Sequence, residues 1–389
     1  MRRVIIAGAA RTPIGGFRGG LAPLPAPALG GAAIAGAVAR ADAAGRVAEI
    51  VMGCVLPAGQ GQAPARQAGF AAGLDAGVPA TTLNKMCGSG MAAAMLAADR
   101  IALGHADIVA AGGMESMSNA PYLLPKMRGG ARAGHQSVID SMFLDGLEDA
   151  YEPGRLMGTF AEDCAAQYGF SRGDQDDYAR ESLARARAAQ HDGGFAGELV
   201  PVSVPDGRDR APAEVAQDEQ PLSARPERIA QLRPAFRPDG TVTAANASSI
   251  SDGAAALVLA AEDAGLPVRA RLVGQAVHAQ APGWFTTAPI GAARRLLDRV
   301  GWTVADVDLW EVNEAFAVVP MAFMRDMGVD HGRLNVHGGA CALGHPIGAS
   351  GARILVTLLH ALERRDLRRG VAAICIGGGE ATAVAVERP

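Results

Sequence analysis

The sequence predicts an α/β protein built from two related halves, with a long excursion inserted into the first. Three observations carry this. Apolar strand-like runs alternate with alanine-rich helical stretches near the start of the chain; the same rhythm returns from residue 269; and two local echoes tie the two regions together. IVAAGGMES resembles AAICIGGGEA, and DGAAALVLAAE resembles GGEATAVAVER. The two echoed elements are contiguous in the second half but separated by residues 119 to about 250 in the first. That interval is therefore an insertion between the last two strands of the first half.

The opening RRVIIAG reads as a strand. Two arginines ahead of an apolar run resemble a signal peptide, but the run is too short and RTP breaks it at once. EIVMGCV, ATTLNKM and ADIVAAGG are further strands, with helices over 26–44, 62–73 and 88–103 between them. Strands alternating with helices predict a parallel sheet covered on both faces. In the second half RARLVGQAVH, VDLWEVN and GVAAICIGG are strands, and PIGAARRLLDRVG, NEAFAVVPMAFMRDMG and GASGARILVTLLHALER are helices. The excursion contains a loop rich in glycine and arginine (PKMRGGARAGH), a charged helix (RGDQDDYARESLARARAAQH) and a proline-rich stretch over 201–238. An excursion of this length with helices of its own predicts a lid or substrate-binding subdomain.

Bulk properties narrow the function. At 389 residues, 49% hydrophobic and 20% charged, the chain suits a soluble globule of two or three domains. A net charge of -4 leaves no basic footprint for nucleic acid or an anionic membrane, and no apolar run reaches the length of a membrane span. Five cysteines without C-x-x-C spacing suggest neither a disulfide framework nor a zinc site, and point to a reducing cytoplasm.

Four glycine-dense segments sit at predicted strand ends: CGSG at 87, NEAF at 313, GHPIGASG at 344 and CIGGGE at 375. Such junctions are where open α/β sheets bind ligands. Each supplies one reactive group. Cys87, in NKMCGSG, lies at a strand-to-helix turn, where converging N–H groups and the helix dipole favour a thiolate. Lowering a thiol from about 8.5 toward 7 needs only about 2 kcal/mol. Its alternative is a small buried hydrophobe. His345, pinned between Gly344 and Pro346, is the base to take the thiol proton. Cys375 is a second thiol or an inert strand residue. Asn313 is a hydrogen-bond donor to a carbonyl or the cap of a helix starting at Glu314. Together these groups suggest acyl transfer through a covalent thioester.

NKMCGSG, GGMESMSNAPYLLPK, TVTAANAS, NEAFA, GHPIGASGAR and CIGGG follow one another as the signature segments of thiolases do, and the sequence resembles the thiolase superfamily over its whole length. The resemblance implies the thiolase fold: duplicated βαβαβαββ halves of mixed sheet in a five-layered αβαβα core with an inserted loop domain. It divides the chain into 1–118 plus 243–268 as the N-terminal half, 119–242 as a loop domain for coenzyme A binding and oligomerisation, and 269–389 as the C-terminal half. It implies that Cys87 accepts the acyl group, His345 activates it, and Cys375 is the acid/base acting on the acetyl-CoA carbon. Asn313 would hold a water that forms one oxyanion hole with His345, and the N–H groups of Cys87 and Gly377 would form the other.

Met157, Phe236, Ala244, Ser248 and Phe316 match positions lining the pantetheine and acyl channel of similar enzymes, with the Ser248 hydroxyl on a pantetheine amide. The chain also departs from the family pattern. Leu156 stands where many members have histidine. Pro221 replaces an arginine that touches the adenine end of coenzyme A, a role open to Arg225 or Arg228. Phe285 stands where short-chain members often carry methionine, which reshapes the acyl pocket. His337 and Cys341 are packing variants.

The activity implied is acetyl-CoA C-acetyltransferase: two acetyl-CoA give acetoacetyl-CoA and coenzyme A, or the reverse by thiolysis, within fatty acid metabolism. The rivals are a degradative 3-ketoacyl-CoA thiolase for longer or 2-methyl-branched chains, a non-catalytic acyl-CoA binding protein, and a cysteine hydrolase needing only Cys87 and His345. Coenzyme A thioesters are substrates, no metal or organic cofactor is implied, and the PKMRGGARAGH loop resembles a tetramerisation loop, implying a homotetramer.

Overall fold

The computed structural model describes residues 1–205 and 211–389, so residues 206–210 of the proline-rich stretch lie outside it. The chain opens with β1 (Val4–Arg11), whose eight residues are all buried. Then come β2 (Gly15–Gly16), α1 (Ala26–Arg40), β3 (Glu49–Gly53), α2 (Pro64–Ala71), β4 (Ala80–Leu83), α3 (Ser89–Ala102) and β5 (Ile108–Ser116). Helix α1 takes Pro27 in its first turn, where no N–H partner is lost, and stops short of the predicted residue 44 because Asp42 adopts a φ of +50°.

The excursion holds β6 (Tyr122–Leu123) and β7 (Ile139–Asp140) as a hairpin, then α4 (Met157–Tyr168), α5 (Arg172–His191), β8 (Val202–Val204), β9 (Ala213–Val215) and α6 (Glu219–Ser223). Helix α5 covers the predicted charged helix and starts on a reciprocal Ser171/Asp174 capping box. The excursion is locked to the core by a buried ion cluster: Arg11 Nε donates to Glu198 at 2.7 Å, and its two terminal nitrogens donate to Asp218 at 2.7 and 2.9 Å. All three side chains are fully buried, and the two acids hold the guanidinium charged.

The chain re-enters the sheet as β10 (Ser251–Ala261). The second half follows with β11 (Ala270–Ala279), α7 (Ala288–Val300), β12 (Leu309–Val312), α8 (Val318–Met327), α9 (Ala340–Leu343), α10 (Ser350–Arg364), β13 (Arg369–Ile376) and β14 (Glu380–Glu387). Strand order is β4-β3-β5-β10-β1 in the first half and β11-β14-β13-β12 in the second, joined edge to edge by β1 and β11. A bridge from Trp310 to Leu334 adds a fifth position beside β12, where sequence reading had no strand.

The parallel sheet expected from strand-helix alternation is corrected. Only β3–β4, β3–β5 and β12–β13 are parallel; β1, β10, β11 and β14 run antiparallel to their neighbours. The reason is connectivity. Three glycines join β13 directly to β14, and a direct turn can only reverse the chain, whereas a crossover helix returns it parallel. The excursion between β5 and β10 has the same outcome, with Ser116 opposite Asp252.

Five layers result. Helices α1 and α2 cover the outer face of the first sheet, α3 and α10 lie between the sheets, and α7 and α8 cover the outer face of the second. Each interval has its own apolar core. Ile34, Ile50 and Val258 lie in the first, Met91, Leu257 and Leu358 in the central one, and Leu296, Trp310 and Phe323 in the last. Burying each such side chain contributes about 1.5–3 kcal/mol. The central helices cross where they begin. A Cβ on Gly90 would lie 2.8 Å from the Ala352 nitrogen, and one on Gly351 would lie 2.6 Å from the Met91 nitrogen. This reciprocal contact brings together the segments that precede α3 and α10, and both carry predicted site residues.

Candidate active site

Cys87 ends a turn that local polar groups hold in place. The Asn84 side chain accepts the Met86 N–H at 2.9 Å, while the Ser89 hydroxyl accepts the Lys85 N–H at 2.8 Å and donates to the Met86 carbonyl at 2.7 Å. Met86 is thereby held at a φ of +48°, a conformation costly for an unbranched side chain and common beside functional groups. Lys85 pairs with Glu380, tying this turn to the CIGGGE hairpin of the other half. From that hairpin, the Gly377 N–H favours the Cys87 thiolate.

The expectation of a lowered Cys87 thiol is corrected. Burial pushes it up to about 11; the N–H groups of Gly377 and Cys87 pull it down, and the charge of Glu115 pushes it up further. Desolvation of the thiolate outweighs the helix terminus because the turn lies between two sheets. The resting group is a thiol, still half-buried and not fully enclosed.

His345 is held for proton acceptance. Its backbone N–H donates to the Ser249 carbonyl at 3.1 Å, and its ring Nδ1 lies 2.5 Å from the Ser350 hydroxyl. With Ser350 donating its proton to the Pro346 carbonyl at 3.0 Å, we assign the tautomer that carries the hydrogen on Nδ1. Nε2 is then left with its lone pair, buried and without a hydrogen-bond partner. Burial, and after it the charge of Arg353, pushes the imidazole down to about 3, so it is neutral at any working pH. Ile347, two residues on, packs in the same apolar cluster as Cys87.

Cys375 lies on β13 opposite Ala381, fully buried; burial pushes its thiol well up, and the charge of Cys87 pushes it in the same direction. The two sulfurs are thus electrostatically coupled. Asn313 follows β12 and donates its N–H to the Ala373 carbonyl at 3.0 Å, while both polar atoms of its side chain are buried and unpartnered. The capping alternative is corrected: helix α8 begins at Val318, with Ala317 before it. The neighbouring Glu314 anchors instead, accepting from Tyr178, Ser182 and Asn335 at 2.8 Å each and from the Cys341 N–H at 3.0 Å. Cys341 and His337 serve packing, His337 standing edge-on to Phe195.

The expected channel residues divide. Met157 is half-buried, its Cε at 3.6 Å from where a Cβ on Gly377 would stand. Phe236 stands edge-on to Phe316 with centroids 5.9 Å apart. The Ser248 hydroxyl donates to the Ala315 carbonyl at 2.9 Å, so toward a pantetheine amide it can only accept. Ala244 is exposed, as are Arg225 and Arg228 at either end of the turn that begins at Pro226. Phe285 is only 3% exposed and stands edge-on to Phe160 at 6.3 Å and Phe316 at 6.4 Å, in the core of the outer layer. Sequence reading missed Ser350, whose signal was a serine five residues after His345 at a helix start. It also missed Glu115, which sits in the quoted GGMES without a role.

A nucleophilic thiol with an N–H aimed at its sulfur, an imidazole nitrogen free to accept, and a second coupled thiol can carry acyl transfer with carbon acid/base chemistry. The family model described as "Thiolase, N-terminal domain" matches residues 4–263, and "Thiolase, C-terminal domain" matches 266–388. The chain is 48% identical to an acetyl-CoA acetyltransferase of Pseudomonas aeruginosa over 394 residues, covering 100% of both chains. It is 50% identical to acetyl-CoA acetyltransferase 1 of Arabidopsis thaliana over 392 residues, covering 99% of this chain and 94% of the other. The Bacillus anthracis acetyl-CoA acetyltransferase superposes with a TM-score of 0.96 at 38% identity, covering 100% of this chain and 99% of that one. Acat5 thiolase from Ascaris suum, solved in complex with coenzyme A, superposes with a TM-score of 0.93 at 42% identity and full coverage of both.

Proposed function

This chain belongs to the thiolase family, and from that premise we propose that it is an acetyl-CoA C-acetyltransferase working through an acyl-cysteine on Cys87. The observation that carries this reading is the second buried thiol, Cys375, whose neighbour Ile376 packs against Gly88 beside Cys87. A cysteine hydrolase needs only a nucleophile and a base.

In the first half-reaction the Cys87 sulfur bonds to the acetyl carbonyl carbon, its proton passes to Nε2 of His345, and the bond from that carbon to the coenzyme A sulfur breaks. The proton then leaves on the departing thiolate. With thiol and imidazole both neutral at rest, charge develops only as the bond forms, and the N–H groups of Cys87 and Gly377 meet the developing oxyanion. Each such donor typically contributes about 3–4 kcal/mol. In the second half-reaction Cys375 passes its thiol proton to Nε2 of His345 and, as thiolate, takes a proton from the methyl of a second acetyl-CoA; the carbanion bonds to the acetyl carbon and displaces Cys87 as thiolate, which recovers the proton from His345. Thiolysis runs the same steps backwards, with Cys375 protonating the acetyl-CoA carbanion. Asn313, with its side chain unpartnered, and His345 are the groups we assign to the other oxyanion site.

We assign Met157, Phe236, Ala244, Ser248 and Phe316 to the pantetheine and acyl channel, and exposed Arg225 and Arg228 to the nucleotide end of coenzyme A. Thiolysis of a series of 3-ketoacyl-CoA substrates tests the acyl assignment. Acetoacetyl-CoA is expected to be preferred over 2-methylacetoacetyl-CoA and medium chains by about tenfold or more in kcat/KM, one methylene being worth about 1–3 kcal/mol. Rates rising beyond four carbons would overturn it in favour of a degradative enzyme.

The homotetramer is proposed on the exposed apolar residues of the β6–β7 hairpin, Tyr122, Leu124, Met127 and Val138. Light scattering is expected to return four times the 39.7 kDa chain, and a monomer would refute it. A cytoplasmic location is proposed on five unpaired cysteines, and activity confined to an extracytoplasmic fraction would refute that.

A further inference from the structure

We propose that Glu115 is a positioning residue for the acylation step: its carboxylate occupies the counterpart of the active site in the duplicated fold and holds the turn that aims His345. This rests on the acyl-transfer reading above and extends it to a residue outside the reacting groups.

The duplication supplies the correspondence. The echo of DGAAALV in GGEATAV aligns Ala255 with Ala381. Ala255 lies opposite Gly113 on β5, and Ala381 lies opposite Cys375 on β13. In that strand register Gly113 takes the place of Cys375 and Glu115, two residues on, that of Gly377, whereas the GGMES and GGGEA echo sets Glu115 against Glu380. Ser89 and Ser350 open the two central helices, so Cys87 corresponds to Gly348. In the active copy the Gly377 N–H favours the Cys87 thiolate. In the other copy the polarity is reversed, for the Gly348 N–H donates to Oε2 of Glu115 at 2.8 Å. Neither thiol has a counterpart, both positions being glycine, and a Cβ on Gly113 would lie 2.0 Å from the Gly348 oxygen.

The carboxylate closes a complete acceptor site. Oε2 also takes the Val55 N–H at 3.0 Å, and Oε1 takes the Leu56 N–H at 3.1 Å and faces the Cys54 sulfur at 3.6 Å. Glu115 is fully buried, and a Cβ on Gly348 would lie 2.6 Å from its Oε2. Gly348 is three residues beyond His345, whose own N–H is held by the Ser249 carbonyl. Both ends of the His345–Gly348 turn, which belongs to the second half, are therefore pinned by groups of the first. The charge of Glu115 opposes ionisation of Cys87, so its presence is explained by geometry and not by electrostatic assistance to the nucleophile. Burial pushes Glu115 up to about 7 against the pull of the Val55, Leu56 and Gly348 N–H groups, so above that pH three donors converge on a carboxylate, where a glutamine amide would set N–H against N–H.

The test is Glu115→Gln, assayed with wild type for acetoacetyl-CoA thiolysis, for the rate of acyl-enzyme formation on Cys87, and for thermal unfolding. Displacing a reacting group by about an ångström costs on the order of 100-fold. A kcat lowered about 10- to 100-fold in a folded variant, with KM within about twofold and acylation slowed in parallel, is the expected result. A folded variant with wild-type kcat, or with a loss confined to KM, overturns the role. Should Glu115→Gln not fold, Gly348→Ala pushes the same turn from the other side; the same kcat loss is expected, and wild-type kcat in that variant overturns the proposal. An inactive wild type would instead sink the acyl-transfer reading itself, so the two failures are distinguishable.

Discussion

Cys87→Ala is expected to lower acetoacetyl-CoA thiolysis by at least about 10⁴-fold while the protein stays folded, because every step passes through a bond to this sulfur. Cys87 is half-buried at the end of a turn fixed by Asn84, Ser89 and the Lys85–Glu380 pair, none of which uses the thiol, so its loss leaves the turn intact. Steady-state thiolysis with a far-ultraviolet dichroism control measures this, and a rate within about tenfold of wild type would sink the assignment. The same residue has a pH signature. With the thiol pushed up to about 11, its thiolate fraction at pH 8 is only about 10⁻³, and alkylation by iodoacetamide is expected to rise about tenfold per pH unit from 7 to 10. A plateau below pH 8 would restore the lowered thiol that sequence reading expected.

Cys375→Ala is expected to separate the two half-reactions. Acetylation of Cys87, read as a burst of free coenzyme A from acetyl-CoA, should stay within about threefold of wild type. Acetoacetyl-CoA formation should fall by about 10²- to 10⁴-fold, the usual contribution of a positioned acid/base. Cys375 is fully buried on a central strand, so an alanine there removes one sulfur without exposing a polar group. Undiminished condensation would refute its role, and loss of the burst would mean that Cys375 acts on the nucleophile instead of on carbon.

Glu115 and Gly377 show what duplication does to a site. Two copies of one supersecondary pattern put a residue at each of two equivalent places beside a helix start, and only one place carries a thiol. A second thiol could not fit at Gly113, which lies against the backbone of Gly348. The unused copy instead became an acceptor that braces the used one.

Much of this protein was determined by its sequence alone. The duplicated strand-helix order, the insertion between the last two strands of the first half, the charged helix at 172–191 and the four glycine-dense junctions are local patterns, and backbone periodicity and turn chemistry act locally. What only the tertiary structure decided was non-local. Strand direction depended on how β10 and β14 re-enter the sheets. The place of Phe285 behind Phe316 depended on packing between layers. The protonation of Cys87 and His345 depended on how much protein surrounds them. The helix start before Ser89 is written in the chain and favours thiolate, but β11 to β14, which close over it, come from sequence more than a hundred residues away, and desolvation prevails. Glu115 belongs to the same class: its partners Val55, Leu56 and Gly348 lie in two other segments, and only the folded chain brings their N–H groups to one carboxylate.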